Sequence, residues 1–547
     1  MKRVELFHYF IDILQQKIYP ACIVVADRKI LSVRETDQVC QHFILPGFID
    51  AHVHIESSML IPSEFARMAV RHGTVATVSD PHEIANVCGI EGIEYMLSNA
   101  QKVPFKFHFG APSCVPATRF ETAGAIIDAA EIEMLLGRDD IYYLSEMMNY
   151  PGVLFEDEEE MKKIAAAKKA GKPVDGHAPG LRGADAEKYI QAGISTDHEC
   201  YTIEEAAEKL ALGMKILIRE GSAAKNFDAL IPLLQQHEDQ MMFCCDDKHP
   251  DELELHHINQ HVKRSVKKGV DLFKTLKAAC INPILHYKLN VGMLREGDAA
   301  DFIVVDSCTD FNILKTVING ETVFENGQSL IESVEEGSIN QFECHRKSVD
   351  DFVIRIDDAN IQNVKRIKVI EALEGQLITK TFLADAKIEE ACLVSDVEND
   401  ILKIVVVNRY SDQPISKAFI KNFGLKRGAI ASTVAHDSHN VICVGTSDVE
   451  MCHAVNVLMD CGGGVVSCCN GEHTVLPLPV AGLMSNDKAE RVAVSYTLVD
   501  REAKKLGSTL QAPFMTLSFM ALLVIPELKL SDQGLFDGKR FCFTELY

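Results

Sequence analysis

The sequence predicts an α/β protein: a (β/α)8 TIM-like barrel, a small composite β-sandwich beside it and an additional C-terminal α+β domain. Three observations lead to this prediction. The 547-residue chain is too long for one ordinary domain. Between residues 47 and 286, short apolar runs alternate with longer amphipathic stretches, a pattern typical of parallel strands joined by helices. Short strand-like runs dominate on both sides of that region.

The β-sandwich is predicted to be assembled from two separate pieces of the chain. Residues 1–46 would supply the first piece, since they contain the strand patterns ACIVVA at 21–26 and KILSVRE at 29–35. Residues 287–345 would supply the second, because short strand patterns flank Asn319-Gly320 there, a pair that favours a tight hairpin.

The barrel is predicted to span residues 47–286. Its apolar runs have the length of strands, and polar or ionisable residues stand at their C-terminal ends. A barrel of this type carries its chemistry at that end of the strands. The runs interpreted as strands after the first are GTVATVSD (73–80), KFHFGAPS (106–113), IYYLSEMM (141–148), KPVDGHA (172–178), GISTDHE (193–199), MKILIREG (214–221) and MMFCCDD (241–247).

Residues 346–547 are predicted to form the C-terminal domain. This region begins with strand patterns such as FVIRI at 352–356 and contains a glycine-rich turn, CGGGVVS, at 461–467. The apolar stretch APFMTLSFMALLVI at 512–525 is interpreted as helical. Together these features indicate a mixed α+β unit beyond the barrel.

Charge and cysteine content restrict the class of partner. A net charge of −24 repels phosphate backbones, so we expect no nucleic-acid binding, whereas a neutral small molecule is compatible. The 17 cysteines include no C-x-x-C pair and are interpreted as free thiols in a reducing compartment. No apolar run approaches the roughly 18 residues of a membrane span, and the N-terminal residues interrupt any signal-peptide pattern. These observations predict a cytoplasmic protein without a membrane partner.

Candidate metal ligands stand at the ends of the apolar runs. His52 and His54 form an H-x-H pair, which places both imidazoles on one face because strand side chains repeat every two residues. Taken alone, such a pair is more often structural. Four further candidates end later runs, namely Glu146, His177, His198 and Asp246.

The six candidates together predict a binuclear metal site at the C-terminal mouth of the barrel. Imidazole and carboxylate ligands suit Zn, Mn or Fe(II). Glu146 stands in the chain between the histidine pair and the two single histidines, and a carboxylate in that place can bridge two ions roughly 3.5–4 Å apart.

Several other chemistries lack their motifs. The sequence contains neither G-x-x-x-x-G-K-[ST] nor G-x-G-x-x-G, so no phosphate cradle is predicted. The residues from His54 to Glu56 fit the H-x-E pattern of cytidine-type zinc deaminases, but the P-C-x-x-C partner motif of that fold does not occur.

The stretch LPGFIDAHVHIESS at 45–58, followed by two single histidines and an aspartate, resembles the amidohydrolase superfamily. Most binuclear members bridge their metals with a carboxylated lysine. Glu146 stands in its place here, a departure shared with the bacterial adenine deaminases. Further stretches resemble that family: SDPHEIANVCG (79–89), SEMMNYPGV (145–153), DGHAPG (175–180), STDHEC (195–200), DDKHP (246–250), HDSHN (436–440), LPLPVAGLMS (476–485) and PFMTLSFMALLVIPELKLSDQGLFD (513–537). The resemblance thins at QQKIYP (15–20), where the family's Asn-Gly turn is replaced, so an irregular first sheet is expected.

The resemblance implies an activity and roles for particular residues. A hydroxide bridging two divalent ions, most often Mn with Fe or Zn also suitable, would attack C6 of adenine and release ammonia and hypoxanthine in purine salvage. Asp246 would accept and pass on the proton, with Asp80 and His82 beside it in the active site. A homodimer is implied as well.

The loop HDSHN at 436–440 has two interpretations. In the first, the loop reaches over the barrel mouth and His436 and His439 bind the purine. In the second, the loop is a solvated turn. The activity also has alternatives: an amidohydrolase acting on a cyclic amide such as a hydantoin, or a non-enzymatic scaffold of the same fold. The six retained ligands argue against a scaffold, and metal content and ammonia release from adenine would separate the three.

Overall fold

A closed parallel barrel forms the centre of the protein in the computed structural model, which describes residues 3–356 and 364–547. Eight strands follow one another around it: Phe48–Val53, Thr74–Ser79, Lys106–Ala111, Ile141–Met147, Val174–Gly176, Thr196–Asp197, Lys215–Arg219 and Met241–Cys244. The first five pair in order and so do the last three. Parallel bridges from Val174 to Ile194 and from Val53 to Asp246 join the two sets and close the barrel.

Buried strands and covering helices explain why this part of the sequence forms a parallel barrel. The first two strands are buried along their whole length, as strands covered on both faces must be. The covering helices are Pro62–Ala69, His82–Ala100, Ala129–Leu136, Tyr150–Leu154, Glu158–Ala170, Gly183–Gln191, Ile203–Ala211, Phe227–Leu230, Pro250–Leu255, Ile258–Lys267, Leu272–Leu276 and Asn282–Tyr287.

The helix Glu158–Ala170 shows how local sequence sets an element's ends. The Asp157 side chain accepts from the backbone N–H groups of Glu159 and Glu160, which caps the first turn. Acidic residues fill that turn and lysines the last one, which suits the helix dipole. Gly171 then ends the helix with a φ of 66°, a conformation that glycine adopts without a Cβ clash.

Strands from both sides of the barrel segment pair into one eight-stranded sheet. In spatial order these are Gln328–Ser329, Glu321–Glu325, Ile313–Ile318, Phe302–Val305, Phe43–Pro46, Val4–Asp12, Lys17–Ala26 and Lys29–Glu35. The predicted hairpin is confirmed: Asn319 and Gly320 connect two of these strands, and both have positive φ, as the favoured two-residue turn requires. The exact domain boundaries remain predictions.

The irregularity expected for the first sheet is absent from its first hairpin, but it occurs at the next strand pair, where Lys17–Ala26 and Lys29–Glu35 shift register between Val24 and Val25. The strands Val4–Asp12 and Lys17–Ala26 pair along their whole length without a register shift. The physical reason lies in the turn between them. The Asp12 carboxylate accepts from the backbone N–H of Gln15 at 2.9 Å, and Gln16 takes a positive φ of 54°. A side-chain hydrogen bond thus replaces the Asn-Gly turn.

The C-terminal region contains a second eight-stranded sheet. Its strands in spatial order are Thr379–Asp385, Arg366–Ala372, Ser416–Lys421, Ile401–Val407, Val441–Gly445, Ala429–Ser432, Gly464–Cys469 and Glu472–Pro477. Two three-stranded sheets accompany it: Ile354–Arg355, Cys392–Leu393 and Ile388–Glu389 form one, and Leu528–Ser531, Gly534–Asp537 and Cys542–Phe543 the other. The helices are Asp448–Cys461, Ala489–Lys505 and Pro513–Ser518.

The C-terminal region packs directly on the barrel. The backbone N–H of Ser485 donates to the carbonyl of Met59 at 2.8 Å, and the N–H of Ala489 donates to the Glu64 carboxylate at 2.9 Å. Buried apolar residues of the two regions belong to one continuous core. This contact places C-terminal residues close to the mouth of the barrel.

Two sequence interpretations need adjustment in this region. The stretch 512–525 is helical only over Pro513–Ser518, continues as a 3-10 turn over Phe519–Ala521 and then leaves the helix. Of the predicted strand 352–356, only Ile354–Arg355 pairs.

All 17 cysteines are free thiols. Among the described residues, no helix has the length and apolar character needed to cross a bilayer.

Candidate metal centre

The six predicted ligands converge at the C-terminal mouth of the barrel. His52 lies in the first strand and His54 follows it, and Glu146 lies in the fourth strand. His177 and His198 directly follow the fifth and sixth strands, and Asp246 lies just beyond the eighth. All six side chains are buried.

Glu146 stands between two groups of donors. Its Oε1 lies 3.2 Å from Nε2 of His54, whereas its Oε2 lies 2.7 Å from Nδ1 of His177 and 3.2 Å from Nε2 of His198. Each carboxylate oxygen therefore faces a different set of imidazoles. This is the arrangement that a carboxylate bridging two cations requires.

The donor spacing fits divalent cations. The two Nε2 atoms of His52 and His54 are 3.2 Å apart, and Oδ1 of Asp246 lies 3.5 Å from the first and 3.0 Å from the second. Ligands about 2.1 Å from one ion, at angles of roughly 90–110°, lie about 3.0–3.4 Å apart. The His177 Nε2 and His52 Nδ1 atoms are buried without a hydrogen-bond partner among the described residues. The residues present thus fit divalent metal ions.

Electrostatics keep the Glu146 carboxyl ionised. Burial alone would raise the pKa of Glu146, but the imidazoles of His177, His198 and His54 outweigh burial and hold that pKa well below its ordinary value. A carboxylate is the form that ligates metals.

Asp246 is fixed by its backbone and by an arginine. Its φ is 56°, an uncommon conformation for a residue other than glycine. The backbone N–H of Asp246 donates to the carbonyl of His52 at 2.9 Å, which ties strand eight to strand one. Its Oδ2 pairs with Arg219, which also binds both carboxylate oxygens of Glu199. Arg219 therefore holds the Oδ2 atom of Asp246, and the other oxygen, Oδ1, faces the histidines.

Asp80 and His82, predicted from the sequence to flank the centre, lie beside Glu146. His82 Nδ1 is 3.1 Å from Asp80 Oδ2 and 3.5 Å from Glu146 Oε1. The helix that begins at His82 positions this imidazole. Their catalytic roles remain predictions.

A cavity above the centre is closed by C-terminal residues. Barrel residues such as His54, His177 and Asp246 border it from below. The C-terminal residues that border it are Leu377, His436, Asp437, Phe519 and Leu522. The cavity thus lies between residues of the barrel and residues of the C-terminal region.

The loop 436–440 is buried, so it is not a solvated turn. His436 borders the cavity and its ring stacks on Phe519, with centroids 4.7 Å apart. His439 is not among the residues that border this cavity in the described part of the chain. It contacts Glu83 instead. Substrate binding by the two histidines remains a prediction.

Sequence reasoning assigned no role to Glu83, Arg219 or Asp247. Arg219 ends the seventh apolar run, so its position at a strand end could have drawn attention. Asp247 follows a predicted ligand and also borders the cavity. The partners of Glu83 lie more than 350 residues away in the chain, so no local pattern reveals its role.

The comparisons with known proteins agree with this fold and site. Residues 43–323 match the model of the amidohydrolase family, and residues 376–542 match that of the adenine deaminase C-terminal domain. The barrel is thus that of an amidohydrolase. The adenine deaminase of Methanosarcina mazei is 53% identical over 544 residues, covering 98% of each chain. That of Sulfurovum sp. is 53% identical over 543 residues, covering 99% of each chain, and that of Salinibacter ruber is 51% identical over 539 residues, covering 98% of each. The chain belongs to the adenine deaminase family, which confirms the resemblance and the predicted fold class.

Proposed function

We propose that this protein hydrolyses adenine to hypoxanthine and ammonia, a reaction of purine salvage. The observation that carries the proposal is the placement of Glu146, whose two oxygens face separate sets of imidazoles beside a cavity that barrel and C-terminal residues border together. The membership of the chain in the adenine deaminase family supports the choice of substrate.

The site is proposed to bind two divalent ions, with Mn preferred and Fe or Zn also suitable. His52, His54 and Asp246 would hold one ion and His177 and His198 the other, with Glu146 shared between them. When bound, such ions lower the pKa of a coordinated water towards neutrality.

The remaining steps fall to the chain's own residues. Attack at C6 of a purine needs a group that takes up a proton and passes it to the departing amine. Asp246 is proposed for this role because it borders the cavity with its Oδ1 3.0 Å from Nε2 of His54, while Arg219 fixes Oδ2. Asp80 and His82 are proposed to orient the reacting groups, and the apolar side chains of Leu377 and Phe519 to exclude water.

Partners and location complete the proposal. The strong negative charge of the protein supports a small, neutral substrate and argues against nucleic-acid binding. The free thiols suit a reducing cytoplasm. A homodimer is proposed from the family resemblance.

The proposal is tested by loading the purified protein with Mn²⁺ and following both the loss of adenine absorbance and the release of ammonia. Metal content is measured on the same sample. We expect two equivalents of metal and stoichiometric ammonia. Metal without ammonia, together with hydrolysis of a hydantoin or dihydro-orotate, would favour a cyclic-amide hydrolase. Protein that binds no metal would favour a scaffold.

A further inference from the structure

Glu83 joins the barrel to the C-terminal loop above the metal centre. It lies in the first turn of the helix His82–Ala100 and is buried. Its Oε1 accepts from Nδ1 of His436 at 2.5 Å, and its Oε2 contacts Nε2 of His439. One carboxylate thus binds both histidines of the 436–440 loop.

This contact fixes the state of the His436 ring. Because the carboxylate accepts at Nδ1, the proton of the ring lies there, and Nε2 is the atom left for another partner. That Nε2 atom is buried and has no hydrogen-bond partner among the described residues. The nearest carboxylate oxygen on that side, in Asp247, lies 4.0 Å away. A buried nitrogen of this kind, on a residue that borders the cavity, points to a ligand.

The surroundings of His436 favour the doubly protonated ring. The carboxylates of Glu83 and Asp247 face it, and Asp437 Oδ1 lies 3.9 Å from Nδ1. Burial lowers the pKa of His436, but Glu83 and Asp247 outweigh it and raise that pKa to about 9. Burial lowers the pKa of the facing His439 imidazole below its ordinary value, so that ring is neutral at neutral pH. At neutral pH the Nε2 atom of His436 therefore carries a hydrogen and can donate it.

We propose that Glu83 is the positioning residue that holds His436 so that its Nε2–H donates a hydrogen bond to a ring nitrogen of the bound purine. The proposal rests on the proposed function for the class of ligand. His439 steadies the far oxygen of Glu83, and Phe519 stacks on the His436 ring and fixes its plane. Purine ring nitrogens are acceptors, and no proton needs to be transferred in this step.

The test is a chemical double-mutant cycle with deaza analogues as probes. Inhibition or dissociation constants of 1-deazaadenine, 3-deazaadenine and 7-deazaadenine are measured for the wild type and for Glu83→Gln, both loaded with Mn²⁺. A lost charge-assisted hydrogen bond weakens binding by roughly 10- to 100-fold. We expect Glu83→Gln to weaken two analogues by this factor and to leave unchanged the third, which lacks the accepting nitrogen and already binds the wild type weakly. Equal weakening of all three, or of none, would overturn the proposal.

Metal content separates a further alternative. Glu83, His436 and His439 together also have the composition of a cation site. We expect Glu83→Gln to hold as much metal as the wild type. If the variant lacks one equivalent, the three residues bind a cation and the positioning role is wrong. Because the analogue experiment measures binding rather than turnover, wild-type protein that releases no ammonia from adenine contradicts the proposed function and not the role of Glu83.

Glu121→Gln is the matched control. Glu121 is also a buried barrel-side carboxyl that contacts the same loop, through Ser438 Oγ at 2.5 Å, but it does not contact His436. Burial raises the pKa of Glu121 to about 8, so a neutral amide resembles its form at neutral pH. We expect unchanged analogue binding. If Glu121→Gln weakens binding as much as Glu83→Gln does, anchoring of the loop explains the effect and the proposal fails.

Discussion

The ammonium group of Lys529 donates a hydrogen bond of 2.6 Å to the backbone carbonyl of Leu377. It also donates to the carbonyl of Phe519 at 2.9 Å, and Leu377 and Phe519 both border the cavity above the metal centre. The lysine side chain is fully buried and has no carboxylate partner among the described ion pairs. A single buried lysine thus joins two segments that border this cavity.

Because Lys529 has no carboxylate partner among the described ion pairs, its ionisation makes the free energy of unfolding depend on pH. Burial lowers the pKa of Lys529 to about 7 in the folded protein, whereas an unfolded lysine has a pKa of about 10.4. Below pH 7 the lysine is protonated in both the folded and the unfolded state, so burial of its charge destabilises the folded state fully. Between these values only the unfolded state stays protonated, so the folded protein gains stability as pH rises, by up to about 1.4 kcal/mol per pH unit.

Lys529→Met should remove this dependence. Between pH 7 and 9.5 the unfolding free energy of the wild type should rise relative to that of the variant, as measured by urea unfolding. Lys209→Met serves as control, since Lys209 is ion-paired with Asp197 and its pKa is raised. Its contribution should stay constant over the same range. A flat difference for Lys529→Met would contradict an unpaired buried amine.

Replacing Glu146 with Gln should lower metal content. A neutral amide cannot balance two cations as a carboxylate does. We expect loss of about one equivalent or more of metal, with a matching loss of deaminase activity. Glu56→Gln is the control, because Glu56 is equally buried but its Oε1 accepts from the backbone N–H of Ile84. A Glu146→Gln protein with two equivalents of metal and full activity would show that Glu146 is not the bridge.

Asp246→Asn should lower kcat by at least roughly 100-fold, the effect typical of losing a general base. The amide can still accept from Arg219, so the barrel should remain folded. Metal content is measured alongside, because the same change can loosen one ion. A variant with normal metal and a near-normal rate would remove Asp246 from the mechanism.

The barrel and the convergence of the six candidate ligands could be predicted because the information for them is local. Each ligand stands at the end of an apolar run, and a strand end is recognisable without knowing its neighbours. The same holds for the hairpin at Asn319-Gly320, whose residues have the positive φ that the turn demands. In these places local sequence and final structure agree.

The parts that local sequence could not predict depend on distant contacts. Glu83 meets His436 only after the C-terminal region packs on the barrel. The burial of the polar loop 436–440 has the same cause, since an isolated run of polar residues is more often exposed. The stretch 512–525 leaves the α-helix after Ser518 and the 3-10 turn after Ala521, and its residues Phe519 and Leu522 border the cavity.

The two histidines of the 436–440 loop should differ in a way that tests how they act. His436→Ala removes the ring that borders the cavity, and His439→Ala removes only the far partner of Glu83. Both changes should raise KM or lower kcat for adenine, and for His436→Ala we expect this effect to be roughly 10-fold or more. Metal content should stay unchanged in both variants.

The double variant decides whether the two histidines act through one hydrogen bond. If His439 works only by steadying Glu83, its removal adds nothing once the His436 ring is gone, so the double variant should match His436→Ala. Steady-state kinetics with adenine and metal analysis check this for all three variants. Additive losses would mean that His439 contributes through a separate contact. Loss of metal in either single variant would place the loop in the metal centre rather than beside the purine.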